Sequence, residues 1–338
     1  MKRLAAVALL LLVALVQATV QPTFRFTEED LESDETLWDL YGRWAADHGV
    51  VREPSRFPTF KANARRQHSK KMMGLNVFGD RSLDEFKSCV REDELAMDQQ
   101  LAVVDLDLVR PAADLLSWTS SDLLPISSRK STGGRHTRSL IHAIKTQSAA
   151  VSLSAQYLLD CTIYMDGTSD CTGGSRLSAL HLVQRTGIPI QSVYPYKGVQ
   201  GITCDATNIY TSGVTVKGWS QVKKLDVTSM KQAVSLKPIL VNIGVDNDFM
   251  YWGDHKVSGN VYHGPGSTNL THSSVVIVGY DVDDLGGLYW IVKNSWGPRW
   301  GDDGYIFISA AANDGFVGPA GVAGILKAAL FVETGTYE

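Results

Sequence analysis

The chain has 338 residues, 44% hydrophobic and 20% charged, the proportions of an ordinary globular protein with length for one large or two medium cores. A formal charge of -4 leaves no electrostatic footprint for nucleic acid. The basic pairs Arg65-Arg66 and Lys70-Lys71 are too short to alter that and read as a solvated helix face.

At the N-terminus, Lys2 and Arg3 precede an apolar run over residues 4–16, with small residues at Ala18 and Thr19. This is the pattern of a secretory signal cut near Ala18, and the run is too short to cross a bilayer comfortably. No other stretch reaches spanning length, and Glu338 ends no retention motif. The expected product is a soluble lumenal or extracellular protein in which disulfides are permitted.

Residues 26–109 are rich in charge and helix formers and show no strand alternation. Segments 37–44 and 57–66 read as amphipathic helices, with Trp38, Tyr41, Trp44, Phe57 and Phe60 near helical spacing, which by themselves describe a small helical domain. From Trp118 onward the chain turns to short strands, glycines and turns, so a boundary is expected near Pro111.

Several motifs lie on this frame. Gly74-Leu75-Asn76-Val77-Phe78-Gly79-Asp80 has the form G-x-N-x-F-x-D, and Arg56, Phe60 and Asn63 follow an E-R-F-N-I-N helix spacing. Further on stand Ala113-Asp114-Leu115-Leu116-Ser117-Trp118, Ser152-Leu153-Ser154-Ala155-Gln156-Tyr157-Leu158-Leu159-Asp160-Cys161, Cys171-Thr172-Gly173-Gly174 and Tyr194-Pro195-Tyr196. The last are Val278-Gly279-Tyr280 and Asn294-Ser295-Trp296-Gly297-Pro298-Arg299-Trp300-Gly301-Asp302-Asp303-Gly304-Tyr305. On these residues the chain resembles the papain-like (cathepsin L-like) cysteine peptidases with their inhibitory prosegment. The helix motif is partial: Arg52, Gln67 and Lys71 stand where Glu, an aliphatic and Asn are usual.

The resemblance implies a two-domain α+β fold. Residues 1–18 would be signal, 19–111 prosegment with an inhibitor-type core at about 37–93, and 112–338 the peptidase domain. Within the last, a helical half runs to about residue 212 and an antiparallel barrel-like sheet follows, with the cleft between them. It also implies that His272 is the catalytic imidazole, Asn294 its orienter and Trp296 the shield of their hydrogen bond. In this chemistry a thiolate is stabilised by a helix N-terminus and the nearby imidazolium.

The thiol is missing. The signature places His and Asn about 130 to 150 residues after the nucleophile, which leads back to a window beginning Lys130-Ser131-Thr132-Gly133-Gly134-Arg135-His136-Thr137-Arg138-Ser139. No Cys lies between Cys89 and Cys161. Pro125 fits the family's preceding loop and Ile141-His142-Ala143-Ile144-Lys145-Thr146 its central helix, but the interval is several residues short. The oxyanion Gln expected after Pro125 is absent as well, since no Gln occurs between Pro125 and His142.

Other family features are carried over unevenly. Cys161 and Cys204 stand at paired positions, Cys171 has lost its partner, and Gly266 and Ala323 occupy the positions of a third disulfide. Cys89 falls in the prosegment. The second subsite, after Gly173 and Gly174, would be walled by Arg176, Asn242 and Ser273, all polar where the family is apolar; Ser273-Ser274 carries one residue more than the family's His-Ala-Val. Asn269-Leu270-Thr271 is a glycosylation sequon beside His272.

The resulting expectation is a non-catalytic, monomeric family member in the secretory pathway, extracellular or in a vacuolar or lysosomal lumen. It needs no cofactor or metal, has no membrane segment after signal cleavage, and has polypeptides, related peptidases and its own prosegment as partners. Two alternatives stay open: an active endopeptidase whose recorded sequence lacks a coding segment, and a prosegment that inhibits related peptidases.

Overall fold

The computed structural model describes residues 24–70, 74–87, 116–117, 153–162, 174–197, 199–201, 203–205, 214–252, 261–264, 271–311 and 318–336. The expected signal, the boundary near Pro111, the nucleophile window, Cys89, Cys171 and Gly266 lie outside them.

Capping sets the first helix, α1 (Asp34–His48): the Ser33 side chain accepts from Thr36 N–H, and the Thr36 hydroxyl oxygen accepts from Ser33 N–H, each at 3.1 Å. Gly49, at φ 65°, ends it in the left-handed region. Leu37, Leu40, Tyr41, Trp44 and Ala45 make one buried stripe at helical spacing. On α2 (Phe57–Ser69) the buried stripe is Phe60, Asn63, Ala64 and Gln67. The two stripes meet with Tyr41 stacked on Phe60 at 4.5 Å. Strands β1 (Phe24–Arg25) and β2 (Gly74–Leu75) pair antiparallel beside them, and Phe26 and Leu75 complete this small core. One departure from the helix motif, Arg52, has a local reason, and Lys71 lies outside the described residues. Arg52 covers the Trp38 ring at 4.1 Å and donates to its carbonyl. Gln67, where an aliphatic is usual, is buried with its Oε1 unpartnered among the described residues.

After α3 (Leu83–Lys87) and the short strand β3 (Leu116–Ser117), the helical half contributes α4 (Ala155–Cys161) and α5 (Arg176–Thr186). Both open on serine caps: Ser154 Oγ accepts from Tyr157 N–H and Ser175 Oγ from Leu177 N–H. A disulfide joins Cys161 to Cys204, 43 residues apart. Beside it, the buried Asp160 carboxylate accepts from Gln156 Nε2, the Tyr194 hydroxyl and Gly201 N–H at 2.8, 2.8 and 2.6 Å, which holds the 194–201 segment against α4.

The sheet half holds β4 (Val214–Gln221), α6 (Val227–Leu236), β5 (Ile239–Val245), α7 (Asn247–Met250), β6 (Thr271–Val282), β7 (Leu288–Lys293), β8 (Tyr305–Ser309) and β9 (Ala329–Thr336). The strands are antiparallel in the order β4-β9-β5-β6-β7-β8, with β3 added along β6. All seven residues of β5 are buried because both faces of the sheet are covered. Ile239, Val241, Ile243 and Val245 enter a core with Met230, Ala233 and Val234 of α6; Leu240 enters the core shared with α4 and α5.

Closing a 43-residue loop removes about 4 kcal/mol of chain entropy from the unfolded state. Replacing Cys161 and Cys204 together by Ala is expected to destabilise the chain by up to that amount, measured as a lower urea midpoint that added reductant no longer shifts.

Candidate functional site

The register of β5 and β6 sets the main-chain position of His272. His272 pairs through its main chain with Gly244, Ser273 with Ile243 and Ser274 with Asn242. The Ser274 hydroxyl donates to Asn242 Oδ1 at 2.7 Å. The polar partner of Asn242 is thus Ser274, the residue opposite it in the ladder. The side chains of residues 271–273, and Gly173 and Asn269 entirely, lie outside the described residues.

Asn294 follows β7, which pairs with β6 through Lys293 and Val276. Its N–H donates to the Gly304 carbonyl at 2.9 Å, and its Oδ1 accepts from Ser295 N–H at 2.7 Å. The Nδ2 is buried and unpartnered among the described residues. Trp296 lies edge-on to Phe249, Trp300 and Phe78, with centroids 5.6, 4.9 and 5.0 Å away. The glycines of this run are backbone requirements. Gly297, Gly301 and Gly304 have φ of 89°, 63° and 87°, and a Cβ on Gly301 would sit 2.1 Å from the Tyr305 carbonyl oxygen.

From the helical half, Gly174 is exposed and leads through the Ser175 cap into Arg176. Arg176 is buried, and its Nη1 donates to the Ala328 carbonyl at 3.0 Å, an acceptor it shares with Asn242 N–H at 3.2 Å. Arg176 and Asn242, expected as walls of the second subsite, are both buried. Among the described residues no His, Cys, Asp and Glu group has the placement to hold a metal ion.

The G-x-N-x-F-x-D segment docks on the sheet half. Asn76 Oδ1 accepts from Phe78 N–H, shaping the turn, while its Nδ2 donates to the Met250 carbonyl at 3.0 Å. Phe78 enters the core that holds Phe249, Trp296 and Trp300. Tyr41, whose hydroxyl burial pushes up to about 12, stays neutral and donates to Asp80 at 2.8 Å. Gly79 is needed because a Cβ there would lie 2.7 Å from the Trp44 ring. Tyr251 donates to the carbonyls of Phe78 and Arg81 at 3.2 and 2.7 Å.

Sequence reasoning missed the receiving side. Arg66 donates to Asp248 at 2.5 Å and Lys70 pairs with the same carboxylate, so these basic residues line an interface and are not simply solvated. Arg299 pairs with Asp47 and donates to its carbonyl at 2.6 Å. The charge reversal between Asp47 and Arg299, and between Asp248 and Arg66, was the available signal, but partners over 170 residues apart cannot be matched by spacing.

Two predictions follow from this docking. Tyr251→Phe removes a shared donor from the Phe78 and Arg81 carbonyls, which keep Arg81 N–H and Asn63 Nδ2, and is expected to weaken prosegment docking by about 0.5 to 1.5 kcal/mol, read as faster limited proteolysis within residues 24–87. His48, whose side chain is only 2% exposed, is held down to about 4 by burial, opposed by its bond to the Trp44 carbonyl and reinforced by the charge of Arg299. Because its folded value lies below the unfolded 6.5, the unfolded chain binds more protons between those limits. Stability should therefore fall as pH drops from about 6.5 towards 4, and His48→Phe should flatten that part of a melting-temperature profile.

Comparison with known proteins agrees with this architecture. The family model "Papain family cysteine protease" matches residues 133–328. The cysteine endopeptidase Rep1 of Oryza sativa subsp. japonica is 34% identical over 332 residues, covering 90% of this chain and 86% of that protein. Vignain of Vigna mungo is 32% identical over 312 residues, covering 85% and 84%. Among solved structures, the proform of the ragweed pollen allergen Amb a 11 cysteine protease superposes with a TM-score of 0.73 at 27% identity, over 92% of this chain and 98% of that one. With a prosegment docked on a two-part α+β body and these relatives along most of its length, the chain belongs to the papain family of cysteine proteases.

Proposed function

We propose that this chain is a papain-family protein without peptidase chemistry that acts by binding polypeptide. The observation that carries this reading is the sequence between Cys89 and Cys161, which contains no cysteine to serve as nucleophile, joined to the lack of any Gln between Pro125 and His142. Removing an oxyanion donor costs about 10²- to 10³-fold in rate, and removing the nucleophile of a well-studied hydrolase about 10⁶-fold. His272, Asn294 and Trp296 then stand as the remains of the catalytic group, and the cleft beside them as the binding surface. A serine in the window, such as Ser131 or Ser139, lacks the low pKa of a thiol and needs far stronger activation. The basic N-terminal flank and the apolar run over residues 4–16 support a route through the secretory pathway.

A second reading concerns the prosegment as an inhibitor of related peptidases. It is favoured by the docking contacts to main chain, Asn76 to the Met250 carbonyl above all, since a main-chain acceptor does not depend on the partner's side chains.

The purified chain is expected to leave a fluorogenic dipeptide substrate uncleaved between pH 4 and 8. Turnover abolished by a thiol-directed epoxide would overturn the first reading. Unchanged hydrolysis by an active papain-family enzyme on adding the chain would overturn the second.

A further inference from the structure

Two exposed leucines stand at opposite ends of the sheet half. Leu285 is 96% exposed at the tip of the hairpin between β6 and β7, with Val282 beside it at 45%. Leu225 is 46% exposed in the loop between β4 and α6. Its N–H donates to the Leu326 carbonyl and Val222 N–H to that of Ala329, which pairs with Val241, itself opposite Val275. From Val275 to Val282, where the hairpin tip begins, β6 runs about 24 Å at about 3.4 Å per residue.

Neither leucine is explained by its own turn. Asp283 shapes the tip: its N–H donates to the Gly287 carbonyl, and its Oδ1 accepts from Leu285 and Gly287 N–H at 3.0 and 2.7 Å. Gly286 supplies the left-handed backbone, at φ 81°. Leu225 has φ 58°, a conformation that glycine or asparagine adopts readily and leucine does not. Single exposed apolar side chains are ordinary on a protein surface; these two differ in being flanked by opposite charges. Around Leu285 and Val282 stand Asp281, Asp283 and Asp284, none with a basic partner among the described residues. Burial, and then the charge of these carboxylates, pushes the Tyr289 hydroxyl up. Beside Leu225 are Lys223 and Lys224, with Lys327 next to Leu326. The neighbouring carboxylate, Asp226, lies 3.2 Å from Lys223 and caps α6 by accepting from Ser229 N–H.

We propose that the Leu285 hairpin tip of one copy of this chain docks on the Leu225 loop of a second copy, leucine against leucine, with carboxylates facing lysines around them. Tip and loop lie too far apart to meet within one molecule, whereas between molecules each supplies what the other lacks. Apolar contact provides the gain. The charges set partner and orientation, because ion pairs this exposed contribute little and are screened by salt. Tip and loop are different surfaces, so one contact remains possible when each copy retains only one of them.

The test is sedimentation of the full chain over a concentration series. Self-association is expected in about 0.1 M salt and is expected to weaken in about 1 M, where the Debye length falls from about 10 to about 3 Å. Leu285→Ser and Leu225→Asn should each weaken it by about tenfold or more, the loss of one buried leucine. Both variants should melt no lower than the unaltered chain, since Leu285 is exposed and asparagine suits the left-handed backbone at 225. Mixed in equal amounts, the two variants are expected to associate with one another, because each keeps the surface the other has lost. An unaltered chain that stays monomeric throughout, variants that associate as the unaltered chain does, or a mixture that does not associate would each overturn the proposal. So would a monomer that co-sediments with vesicles of anionic phospholipid, which would give the lysine loop to a lipid surface.

Discussion

Phe78 lies edge-on to Trp296 at 5.0 Å, and around this contact three distant segments of the chain close on one another. The prosegment turn brings Phe78, α7 brings Phe249, and the loop after Asn294 brings Trp296 and Trp300. Trp300 donates its indole N–H to the Met250 carbonyl, which also accepts from Asn76 Nδ2, so one main-chain oxygen serves both the peptidase-domain loop and the prosegment. The ion pairs at the margin, Asp47 with Arg299 and Asp248 with Arg66 and Lys70, have side chains 28% to 46% exposed. Pairs this open to solvent contribute at most about 1 kcal/mol each, whereas burying one phenyl ring contributes about 1.5 to 3 kcal/mol. The aromatic wedge holds the prosegment; the charges orient it.

The same wedge positions the candidate site. Asn294 is held by its main chain to Gly304 and lies two residues before Trp296, so the aromatic cluster limits where that asparagine can be. His272 takes its place from β6, whose register against β5 is enforced by apolar residues on both faces. A slip by one residue would move Val275 and Ile277 out of one core and Val276 and Val278 out of the other. The site's scaffold is therefore fixed by packing on both faces of the sheet.

Much of this was legible in the residues. The helical stripes, the pairing of Cys161 with Cys204, the two-part α+β plan and the motif around Asn294 are local in sequence or carried by the resemblance. The roles of Asn76, Phe78 and Asp80 within their motif were not, because each is explained by a partner on another segment: Met250, Trp296 and Tyr41. The bond from Ser274 to Asn242 was also beyond reach, since only strand pairing sets which residues stand opposite one another. Arg176 is a further case, because the carbonyl it donates to, that of Ala328, lies 152 positions along the chain.

By itself the sequence determined the family and the stretch without cysteine between Cys89 and Cys161, because those are properties of residue identity and spacing along one chain. Only the tertiary structure decided what faces what: Phe78 into the peptidase-domain core, Asp248 onto Arg66 and Lys70, Ser274 onto Asn242, Arg176 onto Ala328. The last three of those relations join residues 32 to 182 positions apart. They depend on strand register and on which surfaces are buried together, and spacing along one chain specifies neither.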